Sequence, residues 1–347
     1  MKCYIYIFLL LSIFIISIQC ELITFSVATA ALSSFAYYMY DKYNCEYQEC
    51  CTDKYILSDI DRLNYMLTAN LYGQQIAHET IINALRGYFH THNSPKALVM
   101  SFHGTPGTGK TYVVQMIATA LYKEGIHSKY YYFFNGRNDY PLQRKIDEYK
   151  EELYEKISES LRKCERSMFV FDEVDKMPEG LLNTLVPFLD YHSYHKSSKH
   201  NEFIYQNKAI FIFLSNTGSA QIVRQLASLW ERGKKREDMR LQDFEKLIAD
   251  GAFNEKGGFH HSDTIQTNVI DYYVPFLPLE EVHTRKCIVR AFTERNVISP
   301  KEDMIQEILS HLSFGPKPHN LYSMSGCKRI ELKTAAIVEN LSNSKST

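Results

Sequence analysis

A near-continuous apolar run, Ala97-Leu98-Val99-Met100-Ser101-Phe102, leads into Gly104-Thr105-Pro106-Gly107-Thr108-Gly109-Lys110-Thr111, and a helical pattern follows from Val113 to Lys123. The octet fits G-x-x-x-x-G-K-[ST], and its setting between a strand and a helix gives that spacing a mechanism. Its glycines let backbone N–H groups turn inward around phosphate oxygens, and the positive end of the following helix favours the anion. Lys110 would reach the β- and γ-phosphates, and the Thr111 hydroxyl would ligate Mg²⁺. A strand this apolar is buried on both faces, as in a parallel sheet covered by helices.

Two further apolar runs end in residues suited to that ligand. Ser167-Met168-Phe169-Val170-Phe171 closes on Asp172-Glu173. Asp172 at the strand end would hold Mg²⁺ through its waters, and Glu173 is placed to polarise an attacking water. Ala209-Ile210-Phe211-Ile212-Phe213-Leu214 closes on Ser215-Asn216, whose amide is a candidate sensor orienting the same water. Together these motifs predict an ATP- and Mg²⁺-dependent ATPase. The layout around them alternates. A helix opens at Leu71-Tyr72-Gly73-Gln74 and runs toward Tyr88, a strand spans 130–134, and Ile146, Tyr149, Leu153, Ile157 and Leu161 mark an amphipathic helix. A helix over 180–189 and a polar, His-bearing loop over 192–207 follow. From Glu280 the periodicity is helical only. The expected fold is α/β: a large nucleotide-binding domain over 45–279, with a parallel sheet between helices, and a small helical lid over 280–347.

The N-terminus assigns a compartment. Met1-Lys2, an apolar stretch from Tyr4 to Ile18 and Gln19-Cys20 describe a signal peptide over 1–20, cleaved near Cys20. Residues 21–44 form a second apolar segment, uncharged over 22–40. It has about the ~20 residues that span a bilayer, so it could span, lie in one leaflet or act as an extended signal anchor. Six cysteines remain beyond it, Cys45, Cys50, Cys51, Cys164, Cys287 and Cys327. An even set in a secretory protein implies disulfides, and the spacing lacks the paired pattern of a zinc site. Cys45 with Cys164 is one candidate pair. Asn340-Leu341-Ser342 is a glycosylation sequon, with Asn340 as candidate acceptor. A net charge of −1 argues against nucleic acid. Gly233-Lys234-Lys235-Arg236 reads as a solvated helix face.

Read together, the P-loop, the DE-ending strand, the Asn-ending strand and the helical tail resemble an AAA+ module. The signal and apolar segments, FVFDEVDKM at 169–177, FIFLSNTG at 211–218, GKKREDMRL at 233–241, IDYYVPFLPLE at 270–280 and GCK at 326–328 are similar to the torsin family. The resemblance covers nearly the whole mature chain. It implies a membrane-associated ATPase of the endoplasmic reticulum and nuclear envelope lumen, assembling into a ring or filament. It also implies activation by luminal domains of transmembrane partners of the lamina-associated polypeptide type. Lys328 would then be a lid sensor of the γ-phosphate, and Cys327 would pair with Cys287. That bridge would either tie redox state to Lys328 or be purely structural.

Two departures stand out. Thr111 occupies a position where torsins usually carry Asn, and the 192–207 loop is longer than usual. Clp-type relatives carry an Asn-Arg-Ile-Asp element whose Arg reaches a neighbour's γ-phosphate, whereas this chain reads Asn268-Val269-Ile270-Asp271. An arginine finger is worth about 10³–10⁵ in rate, so the chain alone is expected to turn over very slowly until a partner supplies the Arg. Two functions remain open: partner-activated remodelling of proteins or membranes, and a nucleotide-gated scaffold in which hydrolysis only resets the assembly.

Overall fold

The computed structural model describes residues 45–91, 93–191, 194–196 and 203–345. Contacts divide the chain into two units, Met1–Cys50 and Cys51–Thr347. The described part of the first is Cys45–Cys50, closed by a Cys45–Cys50 disulfide. The signal peptide over 1–20 and the apolar segment over 22–40 lie outside the described residues. Among the described residues no helix is long and apolar enough to cross a membrane.

In the second unit, five strands form one parallel sheet: β1 (Leu98–Gly104), β2 (Tyr131–Asn135), β3 (Met168–Asp172), β6 (Ile210–Ser215) and β7 (Tyr272–Phe276), in the order β2-β3-β6-β1-β7. A separate antiparallel pair, β4 (Tyr194–Lys196) and β5 (Phe203–Tyr205), lies within the 192–207 stretch. Every residue of β1 and β6 is buried, which is why these strands read as unbroken apolar runs. Alternate side chains feed two cores. Leu98, Met100, Phe102, Val170, Ile212 and Leu214 face one, while Val99, Phe169, Phe171, Phe211 and Phe213 face the other. In the second core, rings stack in register across three strands. Tyr132, Phe169 and Phe211 are spaced 5.2 and 4.9 Å, and Phe134, Phe171 and Phe213 are spaced 5.0 and 5.1 Å. Each such pair contributes about 0.5–1.5 kcal/mol beyond its buried area. This ladder fixes the heights of β3 and β6, and so the heights of Asp172 and Asn216 at their ends.

Helices flank the sheet: α1 (Ile60–Asn70), α2 (Gln75–His90), α3 (Lys110–Leu121), α4 (Ile146–Lys163), α5 (Ser219–Glu231) and α6 (Glu245–Asn254). The helix expected to open at Leu71 begins at Gln75, as α2, and a separate helix, α1, precedes it. α1 starts earlier, capped where the Arg62 N–H donates to Asp59 Oδ1 at 2.9 Å, and Gly73 at φ +67° turns the chain before α2. The expected 180–189 helix is a 3₁₀ turn, Leu182–Leu185, followed by one α-turn, Val186–Leu189. Pro187 has no N–H for the carbonyl four residues back, so a longer α-helix cannot run through it. Gly233-Lys234-Lys235-Arg236 is not a solvated helix face. α5 ends at Glu231, Gly233 turns at φ +79°, and Arg236 is buried because backbone carbonyls satisfy its guanidinium.

Three further helices, α7 (Glu281–Thr293), α8 (Glu302–Ser310) and α9 (Ile330–Lys345), surround Ile288, Phe292, Ile305, Ile308 and Ile330. Between α8 and α9 a short antiparallel pair, Phe314–Gly315 with Tyr322–Ser323, interrupts the all-helical tail expected. Pro316 and Pro318 exclude helix there. Asn340 is exposed on α9.

The cysteine pairing corrects one expectation. Cys45 joins Cys50, not Cys164, and Cys164 joins Cys51. Arg166 holds the Cys51 carbonyl at 3.0 Å, and Tyr122, from the same core, donates to the Arg166 carbonyl at 2.8 Å. Cys51 is thereby fixed beside the end of α4, where Cys164 sits. The Cys287–Cys327 pair is present and joins α7 to the turn before α9.

Candidate active site

The carboxyl ends of β1, β3 and β6 open onto a cavity of about 660 Å³. β1 runs into the glycine loop at Gly104, and α3 begins at Lys110, after Gly109 at φ +106°. Gly107, at φ +79°, likewise needs a residue without a side chain. Pro106 to Thr111 line the cavity together with Asp172, Glu173, Asn216 and Lys328. Residues separated by more than two hundred positions therefore meet at one cavity. Gly104 and Thr105 stand behind the loop, their carbonyls accepting from Lys110 Nζ at 2.6 and 3.1 Å. Thr108 Oγ1 ties the loop back to the Thr105 carbonyl at 2.8 Å.

The charges are tuned by burial. Lys110 Nζ also donates to Asn216 Oδ1 at 3.1 Å. Burial pulls the Lys110 ammonium down to about 8, with Asp172 and Asp175 opposing that shift. Thr111 Oγ1 donates to Asp172 Oδ2 at 3.5 Å. Burial, reinforced by the adjacent Glu173 charge, raises Asp172 above the ordinary carboxylate range. A cation beside it would reverse that shift. Glu173 sits at φ +52°, in the left-handed region, and its Oε2 pairs with Arg137 Nε at 2.8 Å.

The cavity has the chemistry of a triphosphate and magnesium site. Thr105 Oγ1 is buried in the glycine loop without a hydrogen-bond partner. The hydroxyl of Thr111 and the carboxylate of Asp172 form a hard-oxygen pair suited to Mg²⁺. Lys110 and Lys328 both line the cavity and supply positive charge. The GCK turn presses against the glycine loop. Cys327 N donates to the Gly107 carbonyl at 3.0 Å, and a Cβ at Gly326 would run into that carbonyl oxygen.

Several residues in the cavity wall or directly behind it escape sequence reasoning. Arg137 follows the Asn135-Gly136 turn at the carboxyl end of β2, and the neighbouring strand's motif is the one signal that could have found it. Asp175 accepts from Asn216 N at 3.2 Å and Nδ2 at 3.3 Å, so it holds the amide that faces Lys110. Although burial works against its charge, bonds from Lys176 and Asn216 keep Asp175 below the usual carboxylate range. Its place three residues after Asp172 was available in the sequence. Arg290, stacked over Tyr112 at 5.0 Å and paired with Glu294 at 2.7 Å, carries no sequence signal.

Comparison with known proteins gives the following. The sequence model of a family described as Torsin matches residues 45–171, and that of the Torsin-1A C-terminal domain matches residues 279–335. A Torsin-like protein of Drosophila melanogaster is 38% identical over 316 residues, covering 90% of this chain and 91% of the relative. A Torsin-like protein of Caenorhabditis elegans is 36% identical over 313 residues, covering 89% and 86%. Torsin-3A of Homo sapiens is 34% identical over 289 residues, covering 82% and 71%. Among solved structures, the S. cerevisiae Hsp104-ADP complex superposes with a TM-score of 0.56 at 16% identity, over 83% of this chain and 48% of the Hsp104 chain. That likeness is one of fold, and this chain spans about half of Hsp104.

Proposed function

The chain belongs to the torsin family of AAA+ ATPases, and from that premise we propose that its cavity binds ATP with Mg²⁺ and hydrolyses it slowly until a membrane partner completes the site. The observation that carries this reading is the convergence of Lys110, Thr111, Asp172, Glu173, Asn216 and Lys328 on one cavity. Lys110 and the loop N–H groups bind the phosphates, and Thr111 and Asp172 hold the ion. Bound there, Mg²⁺ neutralises charge on the phosphates. Glu173 accepts a proton from the attacking water, Asn216 orients that water with Asp175 behind it, and Lys328 faces the γ-phosphate from the lid.

The two arginines among the described lining residues are each paired with a carboxylate of the same cavity, Arg137 with Glu173 and Arg290 with Glu294. This supports an Arg supplied in trans by a luminal domain of the lamina-associated polypeptide type. We place the protein in the lumen of the endoplasmic reticulum and nuclear envelope, membrane-associated through 22–40, self-associating into a ring or filament and remodelling proteins or membranes. The large domain would span 45–279 and the lid 280–347.

The Arg137–Glu173 pair also supports the second reading, a nucleotide-gated scaffold, because it occupies the carboxylate that hydrolysis needs. Glu173→Gln decides. On the first reading it binds MgATP with the parental affinity, loses about 10²–10⁴ of the partner-stimulated rate, and holds luminal partners when isolated in ATP. Normal cellular function of that variant would favour the scaffold. Rapid ATP turnover by the purified chain without a partner would exclude the trans arginine.

A further inference from the structure

Arg236 lies outside the catalytic constellation, yet its surroundings connect to it. Its side chain is 8% exposed. Nε and Nη2 donate to the Gly73 carbonyl at 3.2 and 2.6 Å, and Nη1 donates to the Pro278 carbonyl at 3.1 Å and to Glu280 Oε1 at 2.9 Å. The Arg236 carbonyl in turn accepts from Gln75 Nε2 at 2.5 Å. One guanidinium thus joins the turn between α1 and α2 to the connector that leaves β7 and enters α7. Gln74, 2% exposed, makes the matching link one residue on. Its Nε2 donates to the Leu277 carbonyl at 2.8 Å and to the Thr108 carbonyl of the glycine loop at 3.1 Å, and its Oε1 accepts from Leu277 N at 2.8 Å. On the other side of the turn, Asn70, Leu71 and Tyr72 line the cavity, as Leu279 does from the connector. His283 of α7 packs against Gly73 so closely that a Cβ there would lie 2.8 Å from its ring.

We propose that Arg236 and Gln74 form a positioning clasp for the nucleotide, locking the cavity wall at 70–74, the glycine loop and the lid connector at 277–280 into one body. The inference rests on the cavity being a nucleotide site. A ligand held by the glycine loop and resting on Leu71 and Tyr72 touches both ends of the clasp, so a loosened clasp leaves the ligand only one fixed wall. The planar fork of Arg236 reaches carbonyls on two segments and a carboxylate at once, which a lysine ammonium cannot do. A purely structural Arg236 would lower stability when replaced, but below the unfolding temperature it would leave affinity untouched.

The test uses the full chain with a fluorescent ATP analogue and Mg²⁺, and compares Arg236→Lys, Arg236→Gln, Gln74→Met and the control Lys234→Gln, whose partner is Asp243 away from the cavity. Each protein is first checked for folding by circular dichroism. The clasp predicts affinity weakened about tenfold in Arg236→Lys and Gln74→Met, chiefly through faster release, an ordinary size for coupling between linked segments. It also predicts that nucleotide protects the amides of Leu277, Leu279 and Glu280 from hydrogen exchange in the parent and the control but not in these variants. If Arg236→Gln does not fold, the two milder variants carry the decision. Parental affinity and parental protection in Arg236→Lys and Gln74→Met would overturn the clasp alone. Failure of the parent to bind the analogue would overturn the nucleotide reading and the clasp with it.

Discussion

At the scale of single residues, the chemistry of the cavity follows from how burial shifts charge. His103, on β1 one residue before the glycine loop, is fully buried between Ser101 Oγ at 2.6 Å and the Thr217 carbonyl at 2.9 Å. Burial pulls its imidazole down to about 4, and the Lys110 charge adds to that shift. The unfolded chain therefore binds more protons than the folded one between 6.5 and 4, so stability falls as pH drops through that window. From pH 6.5 to 5, His103 should cost about 2 kcal/mol, measurable by urea unfolding. His283, lowered to about 4 by burial and by Arg236 and Lys286, adds in the same direction. His103→Gln should make the acid slope shallower by about the His103 share, and an unchanged slope would show that the imidazole does not titrate on unfolding. Lys110, Thr111, Asp172, Glu173 and Asn216 were legible as site candidates because each lies in or directly after a short motif at a strand end. Arg137 and Arg290 were not, because a flexible basic side chain reaches the cavity only once neighbouring elements are placed.

At the scale of elements, the strands were the most legible part, since burial on both faces writes itself as apolar runs of strand length. The turns were less so. Arg236 looked solvated because a basic cluster usually is, and the carbonyls of Gly73 and Pro278 together with the Glu280 carboxylate make its burial tolerable. Spacing does not fix cysteine connectivity, so Cys45 was matched to the wrong partner, whereas the Cys287–Cys327 pair came from the family resemblance. The outcome carries a prediction. Cys51–Cys164 spans 113 residues and Cys45–Cys50 only 5. In the chain-entropy account the first stabilises by about 5 kcal/mol and the second by about 2. The Cys51→Ser/Cys164→Ser double variant should therefore lower the urea midpoint well beyond Cys45→Ser/Cys50→Ser. Equal losses would contradict it. The turn before α9 gives another. Gly326 has φ +52°, and a side chain there meets the Gly107 carbonyl. Gly326→Ala should push the GCK turn off the glycine loop and weaken ATP binding measurably in a titration, while α7–α9 keep their helical signal.

At the scale of the whole molecule, the parallel sheet gathers three strand ends over one cavity, and the C-terminal helices close it from the other side through Cys327, Lys328 and Ile330. On the proposed reading both walls hold the ligand, so MgATP should stabilise the chain as a unit. At about 100 times the dissociation constant the gain is roughly 2.7 kcal/mol. Thermal unfolding of the parent should show that shift, and Lys110→Ala should abolish it. A persisting shift would place the ligand elsewhere. The sequence by itself determined the α/β class, the glycine loop and the strand-end carboxylates, because each depends on local spacing and burial period. Only the tertiary structure decided how Cys45, Cys50, Cys51 and Cys164 pair, that Arg236 is buried, and that Asp175, Arg137 and Arg290 join the site. Those facts depend on which distant backbone segments come to lie within hydrogen-bond or disulfide reach, and no local pattern encodes that distance.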